Sequence, residues 1–149
     1  NISSISLNEN NYDVSIHHNN KNCTSNTNIH GLTIDNNSIY IKNNGYIPNG
    51  SEKSVLHQDN KIIVMNDNKS KIEPNLFIDE YDVEASHGAY IGKFDEEELF
   101  YLNSRGLDEN KCYELLINGF LLNEFNITDD VKDDLKKIIK KYWRWKNEL

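Results

Sequence analysis

Among the residues able to do chemistry, one histidine stands out, in the small-residue run Glu84-Ala85-Ser86-His87-Gly88-Ala89. A base at His87 needs a nucleophile or a carboxylate in place, whereas a structural imidazole needs only a hydrogen bond. Ser86 adjoins it, but neighbours on a strand point to opposite faces, so the two do not form a simple Ser–His couple. As a metal ligand His87 is isolated, since metal sites are built from several His, Cys or carboxylate groups. Three readings stay open: a hydrogen-bonded strand histidine, a base acting alone, and one ligand of a site shared with another subunit. Periodicity does not choose among them.

The other candidates have simpler explanations. Glu96, Glu97 and Glu98 sit where a first helical turn begins, and capping and dipole terms account for them as a solvated face. The run "GAYIGK" lacks the GxxxxGK[ST] spacing of a phosphate loop, so the chain is expected to bind no nucleotide. His17 and His18 are adjacent, point to different sides of a strand and lack clustered further ligands. Cys23 and Cys112 lie far apart with no CxxC, which predicts no disulfide framework.

The elements that must position these residues follow from periodicity. β-like runs occur at Ile62 to Met65 and Leu76 to Ile78, separated by a polar turn with Pro74. From Tyr81 the alternation is cleaner, with Tyr81, Val83, Ala85, His87, Ala89 and Ile91 on one parity. Short strands carrying Ala, Ser and Gly where backbones approach closely fit a stacked β-solenoid better than a sandwich, although only two or three rungs and no repeat period are visible.

At Asp95 the period changes. Asp95 with Glu98 three residues on forms a capping-box pattern, and Gly106 stops the helix that follows. Asp108 caps a second helix with Cys112, Leu115, Leu116, Gly119, Phe120 and Leu122 largely on one face. Gly119 is expected to mark a close packing contact. Thr128 caps a third helix whose apolar stripe is Val131, Leu135, Ile138, Ile139, Tyr142 and Trp143.

Composition bounds the rest. Residues 1 to 70 hold 17 of the asparagines and the longer remainder only 7, so residues 1 to 60 are expected to be a mostly disordered, asparagine-rich insert. Residues 61 to 93 then hold the ordered β part, and residues 94 to 149 a helical region. A net charge of −8 disfavours nucleic acid as a partner. No apolar run approaches a membrane span, so no membrane partner is expected. The start at Asn1 suggests a fragment with any targeting segment upstream.

The run "ASHGAYIGKFDEEELFYLNSRGL" followed by "LLINGF" resembles the C-terminal part of SufD, a family of scaffold subunits in SUF iron–sulfur cluster assembly, over about residues 61 to 125. The related SufB branch has a CEHEA-like run here, whereas Ala85, Ser86 and Gly88 surround His87, which favours SufD. The resemblance implies a mixed β and α fold, the last rungs of a right-handed parallel β-helix followed by a C-terminal helical region. It implies a non-enzymatic scaffold that pairs with SufB through the β-helices and docks the ATPase SufC through the helices. It further implies a transient iron–sulfur cluster shared with SufB, with His87 contributing one ligand at the SufB interface. Tyr101, Arg105 and Phe120 are the expected SufC contacts, an aromatic and arginine set of the kind interface centres favour. Many relatives carry Cys two positions before the histidine; Ala85 offers no thiol, so SufB must supply one. Tyr90, where a small Thr is common, implies altered packing around the strand. The asparagine-rich composition resembles that of AT-rich parasite genomes, which points to the apicoplast, a relict plastid. The alternatives are a SufB-like subunit and a helical adaptor without a cluster site.

Overall fold

The computed structural model describes residues 1–6, 8–66 and 69–147, with side chains through residue 141. Two compact units divide the chain, Asn1–Lys93 and Phe94–Leu149.

The first unit is a parallel β-solenoid of about three turns. Its described strands are β1 (Ile2–Ser6), β2 (Asn10–His17), β3 (Thr24–Thr33), β4 (Ile39–Ile47), β5 (Ser54–Val64), β6 (Lys71–Ile78) and β7 (Val83–Gly92). Odd strands form one parallel sheet in the order β1-β3-β5-β7, and even strands form a second, β2-β4-β6. Ile2 pairs with Ile29, Thr24 with Val55 and Ser54 with Val83, steps of 27, 31 and 29 residues. Each turn of the coil therefore lays one strand on each sheet, and chemically unlike residues stack because the backbone repeats, not the sequence.

The asparagine-rich stretch is not the expected disordered insert: it builds β1 to β5. The reason lies in the inward positions. In β4 these are Ile39, Ile41, Asn43, Gly45 and Ile47, all buried; in β5 they are Ser54, Leu56, Gln58, Asn60 and Ile62, also all buried. Ile29, Ile39, Ile41 and Ile62, each 0 or 1% exposed, form the apolar centre, flanked by Ile2, Tyr12, Val14, Val64 and Ile72. Side-chain amides bond one another between turns: Asn43 Nδ2 donates to Asn60 Oδ1 at 2.9 Å, and the half-buried Asn75 donates through Nδ2 to Asn44 Oδ1 at 3.0 Å. Paired in this way, buried amides offset their desolvation cost and fix the register of stacked turns. On the outer face of the second sheet His17, Tyr46 and Phe77 stack ring on ring at 4.2 and 4.7 Å, again one residue per turn.

The second unit holds α1 (Glu96–Ser104), α2 (Glu109–Leu122) and α3 (Asp129–Asn147). Asp95 caps α1 by accepting from Glu97 N at 2.8 Å, and Asp108 caps α2 by accepting from Lys111 N at 2.9 Å. Gly106, at φ +88°, closes α1 in the left-handed conformation that glycine adopts freely. In α2 the buried residues are Cys112, Ile117, Leu121 and Leu122, while Leu115 is exposed. Gly119 does not mark a close approach: a Cβ there would meet only Asn123 Nδ2, at 3.6 Å. The α3 stripe is buried at Ile139 and exposed at Val131 and Ile138; the side chains of Tyr142 and Trp143 lie outside the described residues.

Candidate functional site

Among the described residues β7 is the last strand of its sheet, and no further turn stacks on its inward face. The register fixes which side chains share that face. Gln58 pairs with His87, Leu56 with Ala85, Asn60 with Ala89 and Ile62 with Ile91. Because directly paired residues of a parallel ladder point the same way, His87 shares the inward side of Leu56, Gln58 and Asn60. Unlike those three it is exposed, because it belongs to the terminal turn. Among the described residues no hydrogen bond to the His87 ring is found. Small Ala85 and Ala89 flank it two positions away on either side.

Ser86 takes the opposite side, as adjacency on a strand requires, and its partner is a different histidine. His57 Nδ1 lies 2.7 Å from Ser86 Oγ, and His57 Nε2 lies 3.5 Å from Glu84 Oε1. This bridge ties β5 to β7 on the outer face and leaves the inner face to His87. Asn60 Nδ2 donates to Gly88 O at 3.1 Å, which anchors the β7 backbone beside His87. Tyr90 is half exposed, and its ring lies over Gly92 while its hydroxyl donates to Lys93 O at 3.0 Å. The bulky side chain thus turns along its own strand.

The paired histidines near the start part company as expected. His17 faces out in the aromatic stack, whereas His18 is 3% exposed, with Nε2 2.8 Å from Ser25 Oγ. Burial pushes the His18 pKa below the ordinary imidazole value. Cys23, partly exposed, and Cys112, fully buried, are both free thiols. No group of three or more His, Cys, Asp or Glu suited to hold a metal ion occurs among the described residues.

In the helical unit Tyr101 is 57% exposed, and the Arg105 guanidinium lies over its ring, 5.1 Å from the centroid. This pairing orients both groups. Asp95, Glu97, Glu98, Tyr101, Leu102 and Leu116 line an open groove beside it. Phe100, 75% exposed, adds apolar surface. Phe120 is placed differently, half-buried and edge-on to Phe94 at 6.2 Å, in the packing of its own unit. Lys111 and Lys140 both bond Glu114, joining α2 to α3. Burial raises the Glu114 carboxyl, but these two bonds outweigh it and hold the pKa below the usual range.

Sequence reasoning singled out His87, Tyr101, Arg105 and Phe120 and passed over Gln58, Asn60 and His57. The available signal was the period-two series Ser54, Leu56, Gln58, Asn60, Ile62, whose polar members conceal a buried face.

Residues 7–120 match the family model described as "SUF system FeS cluster assembly, SufBD core domain". The chain is 34% identical over 116 residues to iron–sulfur cluster assembly protein SufD of Bacillus subtilis, covering 75% of this chain and 26% of that protein. It is 39% identical over 101 residues to a SufBD family protein of Pyrococcus horikoshii, 64% of this chain and 22% of the relative. Against Escherichia coli SufD the identity is 36% over 62 residues, 42% of this chain and 14% of the relative. The chain thus spans about a quarter or less of these relatives.

Proposed function

Because this chain belongs to the SufBD core domain family of SUF iron–sulfur cluster assembly, we propose that it acts as a non-catalytic, SufD-type scaffold subunit. In this reading it pairs with SufB, docks the ATPase SufC and contributes His87 to a cluster held transiently between the subunits. The observation that carries the reading is the state of His87: an exposed imidazole on the inward side of the terminal turn, with no bond to it found among the described residues. The fold makes no use of this ring, so a neutral ring nitrogen keeps its lone pair for iron. Ala85 places no thiolate beside it, so the sulfur ligands come from SufB.

Two further features support the partners. Among the described residues β7 is bonded to β5 alone, and an unpaired strand edge is a template for another chain. Ala89, Tyr90 and Ile91 are exposed along this strand. The Tyr101–Arg105 pair and the acidic, aromatic groove on α1 and α2 fit a docking surface for SufC. The asparagine-rich composition is the support for a relict-plastid location.

The test is reconstitution of SufB, SufC and this chain with His87→Ala. The complex is expected to assemble as the parent does while cluster yield falls ~10-fold or more. An unchanged yield returns His87 to a structural role.

A further inference from the structure

α3 turns only part of its apolar surface to its own unit. Ile139 is 6% exposed and Lys140 bonds Glu114 of α2 at 3.3 Å, so this side of the helix is the covered one. Ile138 points about 100° away from Ile139 and belongs to a second stripe, Val131, Leu135 and Ile138, spaced i, i+4, i+7. Val131 is 46% and Ile138 51% exposed, and Leu135 is half-buried. In the sequence the same spacing runs on to Tyr142 and Trp145. Apolar residues at this spacing form the seam along which two helices pair.

The charges beside this stripe are sorted along it. Asp130 and Asp134 immediately precede Val131 and Leu135, whereas Lys137 and Lys141 immediately precede Ile138 and Tyr142. All four are exposed. One flank of the stripe is thus acidic toward the start of the helix and basic toward its end. Lys137 Nζ donates to Asp134 Oδ1 at 2.9 Å, with the two side chains 76 and 73% exposed. An ion pair so exposed contributes little, and both groups can exchange it for a partner's charge.

We infer that α3 is a self-pairing surface, through which two copies of this chain associate with their α3 helices antiparallel and stripe against stripe. In an antiparallel pair the same flank of the two helices meets. The acidic end of one row then lies against the basic end of the other, and the two-fold axis makes the surface complementary to itself. A parallel pair would set Asp against Asp and Lys against Lys. With 19 residues, α3 is about 28 Å long and offers a small interface, so the dimer is expected to be reversible and to form at about 10–100 µM.

The experiment is sedimentation velocity of the full chain from about 5 to about 500 µM. The parent is expected to pass from monomer to dimer over this range. Lys137→Glu with Lys141→Glu, and separately Asp130→Lys with Asp134→Lys, are each expected to stay monomeric where the parent is half dimeric, with the helical circular dichroism signal kept. Mixed one to one, the two double variants are expected to dimerise again, because each then meets the opposite charge, and that recovery also shows both to be folded. Ile138→Gln, which leaves the charges alone, is expected to weaken dimerisation about 10-fold by removing an apolar contact from both copies. A parent that is monomeric throughout overturns the inference and leaves the stripe to a different partner. Double variants that dimerise like the parent place association on another surface and overturn it equally, as does a mixture that stays monomeric or an Ile138→Gln chain that dimerises as the parent does.

Discussion

Replacing Ile41 by Ala tests whether the asparagine-rich half is a folded coil. Ile41 is 0% exposed and packs in the cluster with Ile29, Ile39 and Ile62, all of which lie within or at the border of the asparagine-rich region. The substitution removes three buried carbons, worth about 2.4 kcal/mol in transfer free energy at ~0.8 kcal/mol each. Rigid neighbours on two sheets do not close the space fully, so a cavity term brings the loss to about 3–4 kcal/mol. For a chain of this size that lowers Tm by about 10 °C. Urea unfolding followed by circular dichroism measures it, with the m-value retained if the coil unfolds as before. A change within ~0.5 kcal/mol, the usual range for surface or disordered positions, would refute the buried coil.

Gly45→Ala sets a Cβ 2.7 and 2.9 Å from the two Leu56 methyl carbons, and is expected to destabilise by about 1–3 kcal/mol in the same assay; an unchanged midpoint would show that the turns have slack. Since burial depresses the His18 pKa, the folded state binds fewer protons than the unfolded one. The stability from neutral His18 is fully present above the unfolded value of about 6.5 and is lost as pH falls below it. His18→Gln is therefore expected to flatten the decline of Tm between about pH 7 and 5, and an identical slope would remove His18 from the acid response. Tyr101→Ala combined with Arg105→Ala is expected to weaken SufC binding about 10-fold in a titration with the helical signal intact; parent-like binding would place the docking surface elsewhere.

How much of this was legible depended on where the fold writes its rule locally. The α1 and α2 starts are set by Asp95 and Asp108 accepting from backbone N–H groups within three residues, and these were readable. Lys132 N donates to Thr128 O at 3.0 Å, consistent with the third start. The β7 alternation was readable because Val83, Ala85 and Ile91 are apolar or small. Asn43, Asn60 and Gln58 were not recognised as core, because a window average counts a buried amide as polar while the coil bonds it to a residue 15 or 17 positions away. The His57–Ser86 bridge spans 29 residues and exists only once the register is known. The adjacency rule that separated Ser86 from His87 was sound, but it could not say what either would meet.

The most direct measurement of the central claim is pulsed electron paramagnetic resonance on the reduced cluster of the reconstituted complex, with 15N-histidine confined to this chain. The account predicts a strong 15N hyperfine coupling from a directly bound imidazole, present in the parent and absent in His87→Ala. A cluster formed in good yield without any 15N coupling from this chain would contradict it.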